Sequence, residues 1–306
     1  MEWVIFPALF MAWAIGVNDS AKAVGTAVGS GLLGFKKAIL IIVIFTTLGV
    51  FFGGRGVSAT VGELGMELST NSIGVVLFSA ATAVTVSSMR GLPISTTQSI
   101  IGGLVGAILA FDLRVKWGIL LRVVFAWVLS PLAAAFVAVV VYEIYTRLFK
   151  GIKQIQLIEV MYKWLIFTSA AFSAFNLGAN ELSNVVGLMG VIGVNGFFKG
   201  ILSLALAFGA LTFSYEVIMS IGKKLTPLDP RLAFSSQFGS AIAVTTANVL
   251  GLPVSSGQAV IGGVTGLGHY VGNPINWELA RGIVLSWLFT PLISGSLTFL
   301  FLHLLP

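Results

Sequence analysis

Two short polar clusters stand out because each sits inside a long apolar run. The first is Gly16-Val17-Asn18-Asp19 with Lys22 one turn further on, and the second is Gly178-Ala179-Asn180-Glu181 with Asn184 at the matching place. A charge near the centre of a bilayer costs at least about 2.5–3.5 kcal/mol on insertion scales. Asp19, Lys22 and Glu181 are therefore expected to face a cavity, to pair with one another or to bind ions. Asp19 and Lys22, three residues apart, are neighbours on a helix and can pair, which leaves Glu181 unexplained. Arg122 is different, because it lies close enough to Lys116 in sequence to snorkel to the surface. Side-chain amides such as those of Asn18 and Asn180 can donate to an anion's oxygens, and the carboxylates can hold sodium or a proton. Glycine beside Asn-Asp or Asn-Glu suits a helix break, which would free backbone groups to meet an ion.

A second pair of clusters is Ser95-Thr96-Thr97-Gln98 after Pro93 and Ser255-Ser256-Gly257-Gln258 after Pro253. Proline fits the first turn of a helix and serine or threonine its cap. A helix N-terminus inside a membrane offers unpaired N–H groups and a partial positive charge, and with several hydroxyls it makes an oxyanion site. For one copy, an ordinary capped helix start at the membrane surface explains the pattern equally well; two copies at matched positions favour a site. Donors for an anion and carboxylates for a cation together describe a cation-coupled anion carrier. A sulfate or other oxyanion permease, a passive anion channel and a membrane enzyme are the competing classes, and a channel has no need of carboxylates at matched depths.

Enzyme chemistry finds little support. The chain has no cysteine, no Gly-x-x-x-x-Gly-Lys-Ser/Thr loop and no His-Glu-x-x-His pair, and its two histidines, His269 and His303, lie far apart. Neither a catalytic residue nor a resident metal or cofactor is expected.

The polar clusters belong to a duplication. Between 91 and 107, nine of seventeen positions recur 160 residues later, and Trp117, Trp127, Pro131 and Leu132 return as Trp277, Trp287, Pro291 and Leu292. Nearer the start of each half the offset is 162, pairing Gly16, Asn18, Gly25, Phe35 and Lys37 with Gly178, Asn180, Gly187, Phe197 and Lys199. Two residues are thus missing from the second half between these blocks. A duplicated membrane unit is a common plan for secondary transporters.

Of 306 residues, 57% are hydrophobic and only 9% charged, against about 25% charged in soluble domains. Such a chain needs lipid as its solvent. The net charge of +6 then reads as basic loop residues that set orientation, with no nucleic-acid partner implied. The N-terminal stretch lacks a basic region before its apolar run, so it is expected to be the first span. Five apolar segments per half lie near 3–33, 37–53, 72–89, 92–111 and 117–147, then 160–195, 197–222, 233–250, 252–270 and 275–304. The fold class expected is an all-α integral membrane protein of about ten transmembrane segments in two inverted repeats, with broken first helices and polar-tipped fourth segments that are hairpin-like or broken. If the fourth segment crosses, basic residues divide ten inside and four outside; if it returns, they divide seven and seven. The charge rule favours crossing. The repeats are placed at 1–147 and 160–306 with an inside linker at 148–159, forming one transport domain in the cell membrane, and a homo-oligomer is allowed.

These residues resemble the inorganic phosphate transporter family, whose hallmark is a duplicated motif close to Gly-Ala-Asn-Asp-Val-Ala-Asn-Ala followed downstream by Pro-x-Ser-Thr-Thr segments. Here Gly16-Val17-Asn18-Asp19-Ser20-Ala21-Lys22-Ala23 and Gly178-Ala179-Asn180-Glu181-Leu182-Ser183-Asn184-Val185 carry it, and the resemblance covers both halves. It implies sodium- or proton-coupled uptake of phosphate. Asn18, Asn180, Ser95, Thr96, Thr97, Ser255, Ser256, Gln98 and Gln258 would bind substrate, and Asp19, Glu181, Asn184 and Lys22 would form the coupling-ion region. The departures are Lys22 where the family usually has Asn, Glu181 where it usually has Asp, and Gln98 and Gln258 where many members have His. Related sulfate permeases lose the Asn-Asp pair that this chain keeps, which favours phosphate.

Overall fold

The computed structural model describes residues 2–29, 31–89, 94–152, 154–193 and 196–304. Pro93, expected to open the fourth segment, lies outside these, as do Gly91, Leu92 and the basic residues Arg90 and Lys153. Among the described residues every regular element is a helix: α1 (Glu2–Gly29), α2 (Phe35–Phe52), α3 (Arg55–Gly65), α4 (Thr70–Met89), α5 (Thr96–Ala110), α6 (Trp117–Phe149), α7 (Ile155–Asn176) continuing through a π-helical turn (Leu177–Leu182) into α8 (Ser183–Val191), α9 (Gly196–Lys224), α10 (Pro230–Val249), α11 (Ser256–Tyr270) and α12 (Trp277–Leu304). Among the described residues, six stretches are long and apolar enough, by length and composition, to cross a membrane: Trp3–Val28, Phe35–Phe52, Thr70–Met89, Trp117–Phe149, Ile155–Val191 and Trp277–Leu304.

Lipid gives helices no hydrophobic reason to associate, so close packing has to hold them, and glycine allows it. The crossings come in matched pairs that interlock the two halves. A Cβ on Gly16 of α1 would stand 1.9 Å from the Leu206 carbonyl oxygen of α9, and one on Gly209 of α9 would stand 2.0 Å from that of Trp13. The same crossing recurs where the end of α7 and its π-helical turn meet α2: a Cβ on Gly178 would stand 2.0 Å from the Thr46 carbonyl oxygen, and one on Gly49 1.9 Å from that of Phe175. Likewise Gly102 of α5 rides on Pro291 of α12, and Gly262 of α11 rides on Pro131 of α6, each 2.3 Å from the proline oxygen by the same measure.

The fourth segments fold back instead of crossing. Helix α4 runs beside α1 in the same direction: Trp3 Nε1 donates to Asn71 Oδ1 at 2.9 Å, Phe10 meets Phe78, and Ser88 Oγ reaches Asn18 Oδ1 at 3.4 Å. Helix α5 then returns along α4, with Gly103 facing Val76. In the second half α10 follows α7, from the Phe172–Phe238 contact to Asn180 Nδ2 donating to Asn248 Oδ1 at 2.7 Å. Helix α11 comes back with Ser240 Oγ donating to Ala259 O at 3.0 Å. Both α5 and α11 have 15 residues, about 22 Å at the usual rise, against a hydrocarbon thickness of about 30 Å. Gln237 of α10 bonds to Thr26 and Ala23 near the C-terminal end of α1, so α10 runs opposite to α1. The two hairpins therefore enter from opposite ends of the bundle. Their tips meet where Thr97 Oγ1 donates to Val254 O at 3.0 Å. Ten helical crossings do not describe this arrangement: the third and fourth apolar segments of each half pair into one hairpin, so the seven-and-seven division of basic residues, which has the third segment crossing alone, does not apply.

The first helices also differ from expectation. Helix α1 runs unbroken through Gly16–Asp19, because Gly16 serves the close crossing with α9 and not a change of backbone direction. Only the second copy departs from the α-helix, and it does so by one π-helical turn, in which Ser183 Oγ satisfies the Gly178 carbonyl at 2.9 Å. The two residues missing from the second half match the stretch where α2 breaks before α3 at Gly53–Gly54; α9 runs straight through the equivalent region.

Overpacking a close helix crossing costs about 1–3 kcal/mol. Gly16→Ala and Gly178→Ala should each lower the melting temperature of the detergent-solubilised protein. Gly282→Ala, on α12 with nothing within 4 Å, should leave it unchanged or raise it, since alanine favours the helix over glycine by up to about 1 kcal/mol. Equal melting of all three variants would contradict the packing assigned to the motif glycines.

Candidate functional site

The two carboxylates meet at the hairpin tips. Asp19 and Glu181 are buried and share one hydroxyl: Thr96 Oγ1 lies 2.6 Å from Asp19 Oδ2 and 2.8 Å from Glu181 Oε2. Thr97 Oγ1 lies 2.5 Å from the same Glu181 oxygen and accepts from Asn184 Nδ2 at 3.1 Å. The other oxygen, Glu181 Oε1, accepts from Ser256 N at 3.1 Å and Ser256 Oγ at 2.8 Å. Glu181 thus sits in a cradle made by the N-terminus of α11 and by hydroxyls from both hairpins, the environment that a helix start offers an anion.

The hydrogens in this cluster do not suffice for its oxygens. A hydroxyl carries one proton. Thr96 and Thr97 therefore have two between them, against four contacts to Asp19 Oδ2, Glu181 Oε2 (twice) and Val254 O. A proton or a cation on Glu181 or Asp19 would remove the deficit.

On the other side of Asp19 stands Lys22. Its ammonium pairs with Asp19 Oδ1 and donates to Ile94 O at 2.7 Å. Asn18 Nδ2 donates to that carbonyl at 2.8 Å and to Asp19 Oδ1 at 3.2 Å. Beside Lys22 and Ser256 lies a cavity of about 20 Å³, also bordered by Asp19, Asn176 and Ser240. It has room for one water-sized guest.

Ser95 and Ser255 do not face this cluster. Each is the N-cap of its helix, accepting the N–H of Gln98 at 3.2 Å and of Gln258 at 3.3 Å. Proximity in sequence grouped them with the hydroxyls at 96, 97 and 256, but N-cap geometry turns a side chain back onto its own helix. Gln98 and Gln258 are buried with no partner for their carbonyl oxygens. The other expected residues, Asn18, Asp19, Lys22, Thr96, Thr97, Glu181, Asn184 and Ser256, converge here, while Asn180 is turned to Asn248.

Sequence reasoning passed over the latches that hold the hairpins in place. Asn248 bonds to both Asn180 and Asn176, and Asn176 also accepts from Thr245 and donates to Ala241 O. The signal was present, since Asn248 is the repeat equivalent of Ser88, which holds Asn18. Trp127 Nε1 clamps Pro253 O at 3.0 Å. Thr60 Oγ1 holds Gly251 O at 2.6 Å, at a turn where Gly251 takes a φ of 69° that other residues rarely adopt.

Comparison with known proteins follows the same outline. Residues 15–298 match the family model described as the phosphate transporter family. A candidate phosphate permease of Thermococcus kodakarensis is 28% identical, with 95% of this chain and 94% of that protein covered. One from Methanocaldococcus jannaschii is also 28% identical, over 94% and 92%. The inorganic phosphate transporter 2-1 of Arabidopsis thaliana chloroplasts is 25% identical, over 95% of this chain and 70% of its own length. A solved structure described as a sodium-dependent phosphate transporter has the same fold, with a TM-score of 0.85 at 22% identity and coverage of 99% and 98%.

The latches and the caps differ in expected weight. Ser255→Ala should cost about 1 kcal/mol through loss of the cap. Asn248→Ala leaves the buried Asn180 amide without its partner, at about 1–3 kcal/mol, and also removes one of the donors to Asn176 Oδ1, so it should lower the melting temperature more. The reverse order in thermal melts would contradict these assignments.

Proposed function

The chain belongs to the phosphate transporter family, and on that premise we propose that it is a secondary carrier moving inorganic phosphate across the cell membrane together with sodium or a proton. The observation that carries the reading is the placement of Glu181. The donors an oxyanion needs, Ser256 N, Ser256 Oγ, Thr97 Oγ1 and Thr96 Oγ1, are all engaged by a carboxylate. An anion can use them only when that negative charge is neutralised, because like charges in a buried site repel strongly. A cation or proton arriving at Glu181 would release the donors, and this links the two solutes in one step.

In this reading Asn18, Asn180, Thr96, Thr97 and Ser256 meet the substrate, with Ser95 and Ser255 fixing the helix starts and Gln98 and Gln258 in the turns behind them. Asp19, Glu181, Asn184 and Lys22 form the coupling region. Sodium is the first cation to test, since the fold neighbour is described as sodium-dependent. Each half, 1–147 and 160–306, would contribute three crossings and one hairpin. An odd number of crossings inverts the second half, so that each hairpin guards the site from one side of the membrane.

A sulfate permease is the second reading, and the carboxylates argue against it. Phosphate keeps at least one O–H near neutral pH and can donate to Asp19 or Glu181, whereas sulfate can only accept.

Reconstituted protein should exchange radiolabelled phosphate against unlabelled phosphate and not against sulfate. Asp19→Asn and Glu181→Gln should each reduce concentrative uptake by at least about tenfold while eluting as folded protein, which corresponds to the loss of roughly 1.4 kcal/mol or more of coupling. Normal accumulation in either variant would rule out their part in coupling.

A further inference from the structure

The internal repeat places Lys22 opposite Asn184, 162 residues apart, and Thr97 opposite Gly257, 160 apart. In the structure the partners of these two asymmetries touch. Asn184 bonds to Thr97. Lys22 lies against Gly257, where a Cβ would come within 2.9 Å of Nζ. In the second-half copy, the carboxylate of Glu181 and the carbonyl of Val254 are bridged by the neutral Thr97 hydroxyl. In the first-half copy, the equivalent carboxylate and carbonyl, Asp19 and Ile94, are bridged by the Lys22 ammonium. The side chain lost at Gly257 is thus the room that the lysine fills.

Charge makes the same distinction. Two buried carboxylates share Thr96, and Lys22 is the only buried basic side chain among the described residues. One negative charge is left over, at the copy that has Asn184. The Oδ1 of Asn184 is buried and has no partner, and its amide nitrogen is bonded to the hydroxyl that touches Glu181.

We propose that Lys22 is a tethered cation that permanently fills the cation place of the first half, so that the carrier moves a single exchangeable monovalent cation, at Glu181, with each phosphate. This rests on the reading of the chain as a cation-coupled phosphate carrier. An ammonium and a monovalent metal ion carry the same charge and both seek carboxylate and carbonyl oxygens. The lysine, however, cannot leave, so it contributes charge without contributing to the driving force.

The experiment uses the full chain in proteoliposomes, with phosphate flux measured against imposed sodium and proton gradients. The wild type should reverse its net flux at gradients corresponding to one cation per phosphate. The double variant Lys22→Asn, Gly257→Thr rebuilds the second-half pair in the first half and should need a second cation. Doubling a limiting cation concentration should then raise uptake about fourfold in the variant, against about twofold in the wild type, by mass action. Two exchangeable cations per phosphate in the wild type would overturn the inference even if the variant fails to fold, and so would an unchanged ratio in a folded variant. An absence of any phosphate exchange in the wild type would instead overturn the reading on which it rests.

Discussion

A carboxylate buried at membrane depth needs donors, and the arrangement of this protein around Glu181 follows from that need. No single helix can supply them, because a continuous helix uses its own N–H groups. The donors come from a helix start, that of α11, and from hydroxyls on α5, a helix of the other half. Bringing two helix starts to one point inside the protein requires chains that enter and turn back, which is what the α4–α5 and α10–α11 hairpins do. The hairpins in turn need walls. Trp127 and Thr60 from the first half hold the turn of the second hairpin through Pro253 and Gly251.

Close packing makes this geometry exact enough to matter. Hydroxyl contacts of 2.5–2.8 Å at Glu181 tolerate little drift, so the helices carrying them must not slide. The glycine crossings of α1 on α9 and α7 on α2 bring backbone against backbone, which fixes both depth and rotation. Because each crossing joins one half to the other, neither half has a complete set of walls for its own polar cluster. Helix α4 illustrates the combination. It is tied to α1 at both ends, by Trp3 on Asn71 and by Ser88 on Asn18, and so sets how far the first hairpin tip reaches.

Much of this was legible in the sequence, for identifiable reasons. Apolar composition required lipid, and the recurrence of Asn18 as Asn180 and of Ser95 as Ser255 revealed the duplication before any contact was known. Depth in an apolar run singled out Asp19, Lys22 and Glu181, and all three lie in the cluster. What was not legible depends on relations between elements. Whether Gly16 breaks a helix or lets another one approach cannot be told without the partner, Leu206. Whether the fourth segment crosses or returns turned on loop charges, yet the deciding facts were a 15-residue length and a tip that ends beside Asn18. Ser95 and Thr96 are adjacent hydroxyls, and only the cap geometry separates their tasks. Asn176 and Asn248 went unnoticed because one polar amide in a helix has no signature of its own, although adding the repeat offset to Ser88 points to Asn248.

The unbroken α1 clarifies how polar groups are served at this depth. A broken first helix would have exposed its own carbonyls to meet the side chains there. Here Asn18 and Lys22 both donate to the carbonyl of Ile94, which belongs to the turn of the first hairpin. The irregular backbone needed at membrane depth has thus been moved from the long helix to the hairpin tip. The two arrangements differ in consequence. A long helix with an unwound middle would lose its axial stiffness where it crosses α9. A hairpin tip can present acceptors and donors from residues a few positions apart, Ile94 O accepting and the Thr96 and Thr97 hydroxyls donating. The same few residues thus carry both acceptors and donors, while α1 is packed along its length against α9.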